Sequence, residues 1–211
     1  MLSRSTLPLC RLALSVPFAL SAGACAPAGA VELVVAVSDA AGRALPDAVV
    51  AAVARGGRTA AAPGTSAQLA QRDRQFQPQV LVVQAGTAVH FPNFDTVRHH
   101  VYSVSPTKRF ELKLYAGTPA QPVVFERAGV AVLGCNIHDR MAAWLAVVDT
   151  PHFALTGATG QASLDLPPGA YRLQLWHVGM GEEAGWTEQA VTVGGAPMRL
   201  QVTLAGGGPR P

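Results

Sequence analysis

Between residues 31 and 204 the chain almost nowhere sustains apolar residues at helical spacing; short apolar or alternating stretches recur instead, each cut off by Gly, Pro, Asp or Asn. Alternation with period two suits a half-buried strand, and closely spaced turn residues leave little room for helices. The pattern predicts an all-β protein of the sandwich type. Strands are expected over 31–37, 48–53, 80–83, 88–91, 99–103, 123–125, 131–135 and 144–149, then over 162–165, 171–177, 187–193 and 198–204. Asp39 to Gly42 and Pro167 to Gly169 carry turn chemistry, in which Gly supplies a positive φ and Pro presets its own.

The first thirty residues stand apart from that pattern. Arg4 and Arg11 precede an apolar run over 12–20, followed by small residues over 21–24, which is the order of a secretory signal peptide. Ala28-Gly29-Ala30 offers cleavage after Ala30, and Ala22-Gly23-Ala24 before Cys25 offers a lipoprotein alternative. Export to the periplasm is the expectation. The apolar run is shorter than the roughly twenty residues of a membrane-spanning helix, and no later segment qualifies as a span.

Removing the leader changes two counts. Cys10 and Cys25 fall within it, so Cys135 is left as a lone thiol with no internal disulfide partner. In an oxidising compartment such a thiol is a liability unless something occupies it; a small buried apolar residue is the plainer alternative. The sixteen basic residues less Arg4 and Arg11 leave fourteen against thirteen acidic ones. A balance of +1, with no basic stripe carrying interleaved aromatics, argues against nucleic acid as a partner.

The remainder divides into N-terminal strands over 31–70, a middle domain over 71–150 with nearly all the chemistry, a C-terminal segment over 151–205 and a disordered tail over 206–211. Gly160-Gln-Ala-Ser-Leu-Asp-Leu-Pro-Pro-Gly-Ala-Tyr171 and the Arg-Leu-Gln-Leu-Trp176 after it resemble the ending of the prealbumin-like or carboxypeptidase-regulatory β-sandwich. Val37-Ser-Asp-Ala-Ala-Gly-Arg-Ala-Leu-Pro-Asp-Ala-Val-Val50 resembles the opening strands of the same module. The resemblance implies one small sandwich made from both ends of the chain, with the middle block inserted. The competing arrangement makes the N-terminal strands the edge of the middle sandwich.

Within the middle block, Cys135-Asn-Ile-His138-Asp-Arg-Met141 places a thiolate, an imidazole and a thioether within seven residues, just after an apolar stretch. His99 and His100 lie about 36 residues upstream. A trigonal set of one Cys and two His, with a weak axial Met, suits copper cycling between its two oxidation states. Neighbouring strand residues face opposite ways, so only one of the two histidines can reach the loop. His99 shares a face with Val97 and Val101 and is expected inward, with His100 as the alternative. Zinc, which takes four strong tetrahedral ligands, is the competing metal.

The Cys-x-x-His-x-x-Met loop resembles that of amicyanin in the plastocyanin and amicyanin family, and Val97-Arg-His99-His100-Val101 is similar to the stretch supplying that family's first ligand. The chain is also similar to proteins labelled methylamine utilization protein. The resemblance covers about 80 residues. It implies a cupredoxin Greek-key β-sandwich holding one type 1 copper on His99, Cys135, His138 and Met141, with His138 as the exit for electrons. His100 stands where the family has Asn, so Asn93, Asp95 and Asn136 are the candidate supports around the ligands. His90, His152 and His177 are expected at the surface or in caps, and Phe91, Phe94, Tyr115 and Trp144 in the core or its rim.

These readings give a periplasmic one-electron carrier, not an enzyme, working between a c-type cytochrome and a dehydrogenase. The alternatives are a copper enzyme or sensor of the red-copper, nitrosocyanin-like kind, and a structural or carbohydrate-binding module with an accessory metal.

Overall fold

The computed structural model describes residues 29–181 and 183–206. Residues up to 28, where a leader was expected and where Cys10 and Cys25 fall, and those after Gly206 lie outside the described residues.

The described residues form seventeen strands and one 3-10 turn. The chain opens with β1 (Val31–Asp39) and β2 (Val49–Ala54). It continues through β3 (Ser66–Gln68), β4 (Ala70–Arg72), β5 (Gln75–Gln77), β6 (Val80–Gln84), β7 (Thr87–His90), β8 (His99–Ser103), β9 (Phe110–Tyr115), β10 (Val123–Phe125), β11 (Gly129–Gly134) and β12 (Ala142–Val148). It closes with β13 (Phe153–Leu155), β14 (Gln161–Leu166), β15 (Gly169–Trp176), β16 (Thr187–Val193) and β17 (Met198–Leu204). No helix among the described residues is long and apolar enough to cross a membrane.

Two sandwiches result. In the one built from the ends of the chain, a sheet ordered β14-β1-β17 faces a sheet ordered β13-β2-β15-β16. β1 runs antiparallel to β14, with Leu33 opposite Leu164, and parallel to β17, with Val35 opposite Leu200. β2 runs antiparallel to β15, with Val50 opposite Leu175 and Val49 opposite Trp176. The alternation in β1 sends Leu33, Val35 and Val37 inward against Leu164, Leu166, Leu173 and Leu175. β1 and β2 thus pair with the C-terminal strands rather than with the edge of the middle block.

The other sandwich sets a sheet ordered β6-β12-β11-β8-β9 against one ordered β10-β7-β3, with β4 and β5 forming a hairpin. Leu133, Leu145, Val147, Val101, Phe91 and Phe125 fill its interior. It starts earlier than the expected boundary at residue 71, because β3 pairs in parallel with β7, placing Gln68 opposite His90. Sequence reading also passes over β4, β5, β9 and β13. Three of them are only three residues long, and β9 alternates Phe110, Leu112 and Leu114 with Glu111 and Lys113 without the β-branched residues that mark a strand.

A third apolar layer joins the two sandwiches. Val49, Ala51, Trp176 and Val178 of the first pack on Val80, Val130, Ala146 and Val148 of the second. β2 and β12 therefore bury side chains on both faces, which explains why each reads as a nearly continuous apolar run instead of an alternating one. Four sheets are stacked over three cores.

Candidate metal centre

The centre sits at the end of β11, where the strand gives way to the loop leading into β12. Gly134 pairs with Ala142, and the loop is closed by the Cys135 amide donating to the Met141 carbonyl at 3.2 Å and the Met141 amide donating to the His138 carbonyl at 2.9 Å. Gly134 is required for contact: a Cβ there would lie 3.0 Å from the ring of Tyr102, which crosses it from β8. That close approach seats β8 beside the loop and brings His99 to it.

His99, Cys135 and His138 converge. Each histidine presents Nδ1 at 3.9 Å from the Cys135 Sγ, and the donor atoms of all three lie within 4.8 Å of one another. The two rings stand 5.0 Å apart between centroids. Bonds of about 2.3 Å to sulfur and about 2.0 Å to nitrogen, splayed at about 120°, put those atoms roughly 3.7 Å apart. The triangle therefore has room for one ion in its plane. Among the described residues no fourth His, Cys, Asp or Glu joins the cluster. Met141 is buried in the same core as Cys135, and its backbone closes the ligand loop.

His99 is fully buried, and its Nε2 lies 2.7 Å from Asp95 Oδ2. The same carboxylate accepts from the amides of Asp73 at 2.7 Å and Arg74 at 3.0 Å. Burial alone would raise the Asp95 carboxyl, but the Arg74 amide, the His99 ring and the Asp73 amide together hold it below the usual carboxylate range. Asn93 braces the loop, accepting from the Asp95 amide at 2.9 Å and donating to the carbonyls of Val97 at 2.8 Å and Tyr115 at 3.1 Å. Asp95 and Asn93 thus stand where support for the ligands was expected. Asn136, by contrast, is exposed on the ligand loop.

His100 faces the other way. Its Nε2 lies 2.8 Å from Glu111 Oε1 and its ring packs 5.4 Å from that of Tyr102, while its buried Nδ1 has no partner. An irregularity in the pairing of β8 with β9 falls between His99 and Val101, next to the centre, where bulges commonly re-aim side chains. His99 and Val101 still share the inward face of β8, but Val97, expected on that face, lies ahead of the strand and is 37% exposed.

Sequence reading passes over Gln71 and places Tyr115 only in the core or its rim. Tyr115, opposite His99 on β9, donates to the Phe91 carbonyl at 2.7 Å and accepts from the Gln71 Nε2, which also donates to that carbonyl. Burial pushes the Tyr115 hydroxyl up to about 12, with the Gln71 bond acting against it and the Cys135 sulfur adding to it. Nothing in the linear pattern singles out a buried glutamine. Phe91 lies in the core, Trp144 on the layer between the sandwiches, and Phe94 is 56% exposed under the Arg72 guanidinium. His177 is buried and caps the 3-10 turn at Val178–Met180, accepting from the Gly179 amide. His90 and His152 are half-buried and lie outside the cluster.

No protein-family model matches the chain, and no curated protein matches it. Solved structures similar to part of it include a copper-containing nitrite reductase from Thermus scotoductus SA-01, 24% identical over 47% of this chain and 25% of that one, with a TM-score of 0.38. The chain thus spans about a quarter of that reductase. A purple cupredoxin from Nitrosopumilus maritimus is 24% identical over 38% of this chain and 98% of that one, TM-score 0.34. Amicyanin from Paracoccus versutus is 15% identical over 46% of this chain and 96% of that one, TM-score 0.34.

Proposed function

We propose that the chain is a periplasmic one-electron carrier that holds one copper ion on His99 Nδ1, Cys135 Sγ and His138 Nδ1, with Met141 as the weak fourth ligand. The observation that carries this reading is the convergence of one thiol sulfur and two imidazole nitrogens into a triangle, with His99 and Cys135 buried and His138 half-exposed. Three strong donors and a thioether suit copper; a structural zinc site would want a fourth strong ligand. Copper bound there supplies a couple between its two oxidation states.

What the chain's own residues do follows from their burial. Cys135, His99 and Met141 are shut off from solvent by the core, so the site excludes water and substrate from the metal side. His138 is half-exposed and offers its ring edge as the route for an electron. Ile137 beside it is 46% exposed, giving an apolar contact for brief docking of a partner such as a c-type cytochrome or a dehydrogenase. Asp139 and Arg140 are exposed opposite charges next to the ligand and orient that encounter. A carrier needs this enclosure, whereas an enzyme needs an open coordination position.

The test is titration of the purified protein with Cu(II), followed in the visible region. One equivalent should give an intense thiolate-to-copper band, and Cys135→Ser should abolish it. A colourless protein that retains zinc, or a band unchanged by Cys135→Ser, would overturn the proposal.

A further inference from the structure

The geometry points to Asp95 as the residue that sets the electron-donating strength of His99, and through it the balance between oxidised and reduced copper; this rests on the copper reading above. His99 is fully buried, so the proton on Nε2 must find an acceptor within the protein. A neutral carbonyl would satisfy it. The acceptor is instead the Asp95 carboxylate, at 2.7 Å.

That carboxylate is fixed in place. Its oxygens take the amides of Asp73 and Arg74, successive residues that both adopt left-handed backbone, φ 55° and 56°, in the turn between β4 and β5. Its own amide is held by Asn93. The side chain cannot swing away from His99 without giving up both amide hydrogen bonds. Asp95 therefore does two separable things. Its shape fixes the ring with the proton on Nε2 and a bare Nδ1 turned toward Cys135, and its charge makes Nδ1 a stronger donor. A stronger donor favours the higher charge of Cu(II) over Cu(I). Asp95 is a positioning and tuning residue that acts through His99.

The experiment compares the wild type with Asp95→Asn, which keeps the outline and removes the charge, and Asp95→Glu, which restores the charge. Dissociation constants for Cu(II) and Cu(I) are measured for each, and in the metal-free wild type the His99 ring nitrogens are read by long-range ¹H–¹⁵N correlation. The metal-free ring should carry its proton on Nε2. Asp95→Asn should lose about tenfold in Cu(II) binding relative to Cu(I), within the range seen for such partners, which is about 59 mV upward for a one-electron couple. Asp95→Glu should recover most of that ratio. A proton on Nδ1 in the metal-free wild type, or an unchanged ratio in folded Asp95→Asn, would overturn the inference while leaving the copper reading intact. Should Asp95→Asn not fold, the ring tautomer and the ratio in Asp95→Glu decide: a ratio that moves as far as tenfold with the charge present overturns it. A wild type that takes up no copper would overturn the copper reading instead.

Discussion

His99 and His100 are neighbours on β8 with opposite surroundings, and substitution should separate them. His99→Gln removes a donor from the triangle and is expected to lose the copper band. His100→Gln touches only the contacts with Glu111 and Tyr102; it should keep the band and cost about 1–3 kcal/mol in chemical denaturation. The reverse outcome would exchange their roles. Met141→Leu should keep the band and move the reduction potential, as expected of a weak axial ligand; loss of copper would make the thioether a principal ligand. The convergence of His99, Cys135 and His138 was legible because strand alternation and the spacing within the loop are local. The contact between Gln71 and Tyr115 was not legible. A buried amide makes sense only once the Phe91 carbonyl and the Tyr115 hydroxyl are in place around it, and residues 71, 91 and 115 come together only in the folded sandwich.

Two turns determine how the strands around them are aimed. Asp39 ends β1 and accepts from the amides of Ala41 and Arg43, both at 2.9 Å, and from the Arg43 guanidinium at 2.7 Å. The Arg43 amide above all, against the effect of burial, holds the Asp39 carboxyl below its usual value. A carboxyl lowered in the folded state stabilises above its unfolded pKa of about 3.9, and the contribution is lost as pH falls through the lowered folded value. Denaturation curves between about pH 5 and pH 2 should therefore show the wild type losing its advantage over Asp39→Asn on acidification. An advantage that does not change with pH would count against an ionised Asp39 in that turn. Gly160 has φ 71°, and a Cβ on it would meet the Val37 carbonyl oxygen at 2.6 Å. Gly160→Ala should cost more than about 2 kcal/mol, combining a left-handed penalty with a backbone clash. At this scale the sequence is legible where a turn carries Gly, Pro or Asp, as at residues 39–42 and 167–169. It is illegible at β3, β4 and β5, where Ser, Gln and Arg leave no apolar run within three residues, whereas the equally short β10 is legible from Val123-Val-Phe125.

For the molecule as a whole, the layer between the sandwiches matters most. Trp176 is fully buried there and its Nε1 donates to the Gly181 carbonyl at 2.9 Å. Trp176→Ala should destabilise by about 3–5 kcal/mol. The loss should be felt in both sandwiches, so that bleaching of the copper band and the change in far-ultraviolet circular dichroism occur at one temperature. Two separate transitions in the wild type would mean that the shared layer does not couple them. The all-β class was open to sequence reading, since punctuation alone excludes long helices. The shared layer was not, because an apolar run such as β2 or β12 looks the same whether its second face meets a neighbouring sheet or a partner protein. The layer also gives the segment after residue 150 a second role: Trp176 and Val178 cover the outer face of the β6-β12-β11 sheet.

The parallel pairing of β1 with β17 puts the first and last described strands in the outermost sheet, two layers away from the sheet that ends at Cys135. An anchor, affinity tag or electrode linker joined to either strand would hold the protein by a sheet that carries none of the three converging side chains.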